Sequence, residues 1–143
     1  MKRTPFGTGR KEPRIPKPKA VKPKTPSRAV LDDLFSRYIR RFGECQFWGV
    51  GGIPCSSQLH CSHIHSRTYN SLRWDARNAV CCCAAHHRWQ HNHPTLNTWA
   101  LEELLGREHL EELRDAYLAG KKPTPEEKRA IAAWLREELR KVA

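Results

Sequence analysis

Residues 61–67 read Cys61-Ser62-His63-Ile64-His65-Ser66-Arg67, and residues 78–87 read Asn78-Ala79-Val80-Cys81-Cys82-Cys83-Ala84-Ala85-His86-His87. The first segment overlaps a run, 58–65, with the length of a short strand, in which alternation would put Cys61, His63 and His65 on one face. A second short strand or loop is expected near Asn78 to Cys82, and Ala84 to Gln90 has helical character. A hairpin that runs straight into a helix is therefore the predicted centre of the fold.

Helices are predicted on both sides of it. Ser27 can cap a helix whose residues Leu31, Leu34, Phe35, Tyr38, Ile39 and Phe42 form an apolar stripe, closed by Gly43. The glycine-rich stretch from Cys45 to Pro54 reads as a loop or knuckle. Downstream, Asn97 or Thr98 is a predicted cap for a helix to Leu105 that stops at Gly106, and Glu108 to Ala119 forms another, ended by Gly120. Thr124, Pro125 and Glu127 make a capping-box start for a last helix with Ile131, Trp134, Leu135 and Leu139 on one face.

All six Cys lie between 45 and 83, and seven of the eight His between 60 and 93. Thiolate sulfur and imidazole nitrogen are the usual donors of a closed four-ligand zinc site, so the clustering predicts structural Zn2+. Cys83-x-x-His86, at a helix start, supplies one pair. The other pair begins at Cys45, but position 48, where a knuckle ligand would stand, is Trp48. Cys55 is the substitute, across an enlarged knuckle, and Cys61 the alternative. The expected set is Cys45, Cys55, Cys83 and His86, with Cys61, Cys81 and Cys82 as small buried hydrophobes. His60, His93 and His109 have no partner pattern and are expected on the surface or in loops. Trp74, Trp89, Trp99 and Trp134 are expected to pack, whereas Trp48, on its loop, suits base stacking equally well.

The net charge is +11, and residues 1–28 hold ten Lys and Arg against one acid, leaving only +2 for 29–143. The same 28 residues carry six of the ten prolines and few apolar groups. They cannot bury enough surface to offset the entropy of ordering, so a disordered basic tail is expected over 1–28. Its cations suit loose, salt-sensitive phosphate contact. No apolar segment follows Lys2-Arg3 and no run of about 18 apolar residues occurs, so a cytoplasmic protein without a membrane span is expected, its thiols reduced.

The order Ser62-His63-Ile64, Asn78, then Cys83-Ala84-Ala85-His86-His87 resembles the HNH, or His-Me finger, nucleases. Within that family, Leu31-Asp32-Asp33-Leu34-Phe35-Ser36-Arg37-Tyr38-Ile39-Arg40, Cys61 to Arg67, Arg73-Trp74-Asp75 with Asn78, and Leu104-Leu105-Gly106 look like the NinG/Rap-type recombination nucleases of phages, over about residues 29–118. The resemblance implies an α+β fold: a zinc-stabilised ββα, treble-clef-like core at about 44–93, within a nuclease domain of residues 29–143 completed by C-terminal helices. It implies a catalytic trio of His63 as general base, Asn78 holding its ring, and His87 binding a catalytic Mg2+ or Mn2+. His91, one turn after His87, would share that cation. Arg67, Arg73 and Arg77 would grip DNA phosphates.

Two departures from the family pattern stand out besides Trp48. His86 occupies a knuckle Cys position, and Ser62 stands where many relatives place a metal ligand, so that the cation keeps only His87, His91 and waters, or His65 or Asp75 supplies the further ligand. The implied activity is phosphodiester hydrolysis in DNA, in recombination or on branched or junction substrates, in the host cytoplasm if phage-encoded. A homodimer would provide the two centres that double-strand cutting needs. The competing expectation, favoured by Ser62, is a zinc-stabilised DNA-binding or packaging accessory factor without nuclease activity.

Overall fold

The computed structural model describes residues 23–141. The predicted tail falls mostly on residues 1–22, outside the described residues. Residues 23–27 have no regular structure, and the Arg129 guanidinium donates to the Pro23 carbonyl and Thr25 hydroxyl.

Five helices surround one antiparallel hairpin: α1 Arg28–Arg40, β1 Leu59–His63, β2 Ala79–Cys83, α2 Ala84–Asn92, α3 Pro94–Leu105, α4 Arg107–Ala119 and α5 Pro125–Arg140. Ser27 caps α1 as predicted, its hydroxyl accepting from the Val30 amide, and Leu31, Leu34, Phe35 and Ile39 are buried. Phe42 departs from the expected stripe and is 55% exposed. The chain tightens after Arg40 into bonds three residues apart, from the Phe42 amide to Ile39 and from Gly43 to Arg40, which rotates Phe42 off the helix face. The predicted capping box of α5 is complete, with Thr124 and Glu127 each accepting from the other's amide.

An isolated two-stranded hairpin is marginal in water, so this one depends on what covers it. In β2, Val80 to Cys83 are all buried because both faces are covered. Cys81 belongs to a core with Leu31, Leu34, Phe35, Ile39, Trp74, Ala132 and Leu135 from α1, α5 and the hairpin connection. Val80 and Cys82, of opposite parity, join Phe47, Trp89 and Leu101. Cys61 faces Cys81 across the hairpin and, half-buried, packs on the first core. The strand pattern thus sends alternate side chains into two separate cores.

Two sequence expectations shift. The strand ends at His63, so His65 lies outside it, stacked on Tyr117 of α4 with ring centroids 5.1 Å apart. Helix α3 starts at Pro94, earlier than Asn97 or Thr98, because Pro94 lacks an amide proton and stops α2 at Asn92 while serving as the first residue of the next helix. Trp74 and Trp89 are buried as expected, and Trp134 lies half-open against the Tyr38 ring, but Trp99 points outward from α3 at 61% exposure. No described helix is long and apolar enough to cross a membrane.

Candidate metal centre and histidine groove

Four side chains from separated positions converge beside the start of α2. The donor atoms of Cys45, Cys55, Cys83 and His86 all lie within 4.8 Å of one another. Cys45 comes from the loop after α1, Cys55 from the loop after the turn at Val50–Gly52, Cys83 is the N-cap of α2, and His86 lies in its first turn. From His86 Nδ1 the sulfurs of Cys45 and Cys55 are each 3.6 Å away and that of Cys83 is 3.1 Å. A tetrahedral zinc with sulfur at about 2.3 Å and nitrogen at about 2.05 Å places those two donors about 3.6 Å apart. Two of the three separations match that edge, and the donor set is of the Cys3His type.

The orientation of His86 fits the same use. Its Nε2 lies 3.1 Å from the Val50 carbonyl, which can only accept, so Nε2 carries the proton and Nδ1 presents its lone pair to the sulfurs. Gly51 lets the Val50–Gly52 turn lie there: its φ is +67°, and a Cβ would collide with the Trp89 indole. Burial works against ionising Cys83, but the His86 amide and ring and the Ser56 amide and hydroxyl outweigh it and bring its pKa down to about 5. Cys55 moves the opposite way, to about 11, through desolvation and the adjacent Cys45 and Cys83 sulfurs. Ionisation of Cys83 thus works against that of Cys55, a conflict that a divalent cation between the sulfurs would relieve. Cys55 takes the fourth position and Cys61, in the hairpin, does not; Trp48, 82% exposed, contributes no donor.

Around the exposed edge of β1, between α1 and α2, lies an open groove of about 730 Å³. Its lining includes His60, His63, Arg67, His87, His91 and Arg40, and among the described residues no carboxylate. His63 is held through Nε2, 2.9 Å from the Arg73 carbonyl, with its ring 5.4 Å from that of Phe35. The carbonyl fixes the proton on Nε2 and leaves Nδ1 as the free base. Burial pushes the His63 pKa below the ordinary 6.5, against the pull of that carbonyl bond. Burial also lowers His87, reinforced by the neighbouring His91, His60 and His63. The rings of His87 and His91 are 5.0 Å apart, one turn along α2.

Asn78 does not hold the His63 ring. Fully buried, it accepts from the His65 amide at 2.8 Å and donates to the carbonyls of His65 and Leu72 at 3.0 and 3.1 Å. Its amide closes the connection between the strands, and the ring's partner is Arg73 instead. Arg73 is engaged inside the protein, and Arg77 is paired at the surface. Arg73 makes a two-pronged pair with Asp32, at 2.8 and 2.6 Å, and Arg77 pairs with Asp75 and Glu112. Of the three arginines expected at phosphates, Arg67 alone lines the groove, where Arg40 joins it.

Neither spare ligand candidate is in the groove: His65 is on Tyr117, and Asp75 caps the turn at Ala76–Asn78. Ser62 is buried and donates to Gln90 at 2.7 Å. His60, expected as a surface residue, is half-buried with Nδ1 3.0 Å from His87 Nδ1. Its place two residues before Ser62, on the face that α2 covers, was the available signal.

Compared with family models, with curated proteins and with solved structures, the chain matches none.

Proposed function

We propose that this chain is a phage-type, metal-dependent HNH DNA endonuclease, its hairpin-helix core held by structural Zn2+ on Cys45, Cys55, Cys83 and His86. The observation that carries the reading is the state of His63: a neutral imidazole with one nitrogen fixed on a backbone carbonyl and the other free beside a groove of histidines and arginines. Such a group can take a proton from water at neutral pH. Arg67 and Arg40 would draw the phosphate into the groove, and the absence of carboxylates there leaves the anion unopposed.

In the proposed reaction, water gives a proton to His63 Nδ1 as its oxygen forms a bond to phosphorus. The bond from phosphorus to the 3′ oxygen breaks, and that oxygen takes a proton from solvent, leaving a 3′-hydroxyl and a 5′-phosphate. A divalent cation held by His87 and His91, with water and phosphate completing its shell, would supply charge neutralisation at the phosphoryl oxygens and the leaving oxygen. Residues 1–28 would add sequence-independent affinity. Recombination intermediates, including branched DNA, are the proposed substrates, and a homodimer would pair two centres.

One observation favours the alternative of a DNA-binding or packaging factor: Ser62, at the family's ligand position, is withdrawn into a bond with Gln90. The two readings separate on plasmid and four-way-junction DNA in Mg2+ or Mn2+. The wild type is expected to cut, and His63→Ala to be slower by about 10²- to 10⁴-fold. Equal cutting by both proteins refutes the role of His63, and binding without cutting by either selects the accessory factor.

A further inference from the structure

We infer that His60, and not His91, joins His87 to form the cation site of the groove, a two-imidazole site that takes an ion suited to nitrogen donors, such as Co2+, Ni2+ or Zn2+, in preference to Mg2+. The inference rests on the nuclease reading only for its purpose, not for its geometry. The two Nδ1 atoms stand 3.0 Å apart, with ring centroids at 5.3 Å and ring planes at 89°. Two nitrogens each about 2.1 Å from one ion and at right angles to each other are also about 3.0 Å apart. His60 belongs to β1 and His87 to α2, so an ion there would tie strand to helix across the groove.

The lining sets the choice of ion. Mg2+ demands oxygen donors and is ordinarily anchored by carboxylates, and among the described residues none lines this groove. Imidazole nitrogen suits the later first-row ions, whose affinities rise from Mn2+ towards Cu2+. The site remains open, because among the described residues the Cys45, Cys55, Cys83 and His86 cluster is the only group of three or more Cys, His or carboxylate donors placed to share an ion. His91 lies beside His87, but no third side chain closes the shell. Open positions are what a substrate phosphate and a water would need. His60 thus takes the part of the missing ligand at Ser62, one strand period earlier on the same face.

The test uses the zinc-loaded full chain titrated with Co2+, followed by calorimetry and visible absorption, with zinc counted by elemental analysis. One Co2+ is expected to bind while zinc stays at one per chain and no thiolate charge-transfer band develops. His60→Asn and His87→Asn should each weaken Co2+ by at least about tenfold, the lower bound seen when even an outer-shell partner is disturbed. Asp carries an oxygen where His carries Nδ1, so His60→Asp should restore binding and raise the affinity for Mg2+. Co2+ affinity within twofold of wild type in His60→Asn, or no Co2+ bound beyond the zinc site, overturns the inference. If His60→Asn loses its zinc, His60→Asp decides alone: an unchanged ratio of Co2+ to Mg2+ affinity refutes the site. DNA cleavage is scored in parallel. Cutting that survives with His60-independent Co2+ binding fails the inference and keeps the nuclease, whereas His60-dependent Co2+ binding without any cutting does the reverse.

Discussion

Asp32→Ala should be among the most damaging substitutions outside the two donor clusters. The Asp32 carboxylate accepts from Arg73 Nε at 2.8 Å, Arg73 Nη2 at 2.6 Å and the Trp74 indole at 2.8 Å. The Arg73 and Asp32 side chains are only 12% and 25% exposed. Removing one partner of a fully buried pair costs about 3–5 kcal/mol. Water reaching the exposed quarter of the site lowers the expectation to about 2–3 kcal/mol, or a fall in Tm of about 8–12 °C at roughly 4 °C per kcal/mol for a domain of this size. Asp32→Asn keeps the shape and should cost less, about 1–2 kcal/mol. Urea denaturation of both variants, of Arg73→Ala and of the double alanine variant gives the coupling energy. A loss below about 0.5 kcal/mol for Asp32→Ala, or zero coupling in the cycle, refutes this account. The pH dependence supplies an independent check. Burial raises the Asp32 pKa, but the bonds from Arg73 and Trp74 outweigh it and hold the carboxyl below its ordinary 3.8. The stabilisation is therefore complete above the unfolded carboxylate range and is lost as pH falls through the lower folded value.

Removal of the metal should unfold the hairpin core: Cys83→Ser, or chelation of the wild type, is expected to abolish the one-per-chain zinc and the cooperative thermal transition, seen by elemental analysis and calorimetry. Asn78→Ala strands the buried Leu72 carbonyl and the part-buried His65 amide and carbonyl; the Leu72 group alone costs about 1–3 kcal/mol, so a loss of at least about 2 kcal/mol is expected by urea denaturation. For cleavage, the sign at His63 is fixed by burial, which lowers its pKa from 6.5 and keeps the base neutral into mildly acid solution. The acid limb of the cleavage rate should therefore lie below pH 6.5, and a midpoint above that value contradicts the buried-base account.

What the sequence reveals depends on how local the cause is. Ser27, Gly120 and the Thr124-Glu127 box are legible because a cap bonds within three or four residues of itself. The Cys45, Cys55, Cys83 and His86 cluster is legible by another route, since few residue types bind zinc and they crowd one region. Sequence leaves Cys55 and Cys61 undecided, because the choice depends on where the Val50–Gly52 turn folds, and that turn is placed by contact with Trp89. The partner of Arg73 is hidden for a related reason. Arg73 meets Asp32 from 41 positions away, and nothing near Arg73 in the chain marks it as already paired. That pairing forms only once α1 lies on the hairpin, whereas Arg77 pairs with Asp75 two residues before it and Asn78 bonds within the hairpin connection.

Helix α2 explains why the two donor clusters belong to one device. His86 and His87 are neighbours in sequence, and successive helical residues point about 100° apart. His86 therefore faces Cys45, Cys55 and Cys83 while His87 faces His60 and the groove. Cys83 is at once a sulfur donor, the end of β2 and the N-cap of α2, its sulfur 3.5 Å from the His86 amide. Fixing that sulfur fixes both the start of the helix and the register of β2, and through the pairing of Cys82 with His60 it also sets where His60 stands relative to His87. Loss of zinc should consequently disturb the groove without any ligand of the groove being altered.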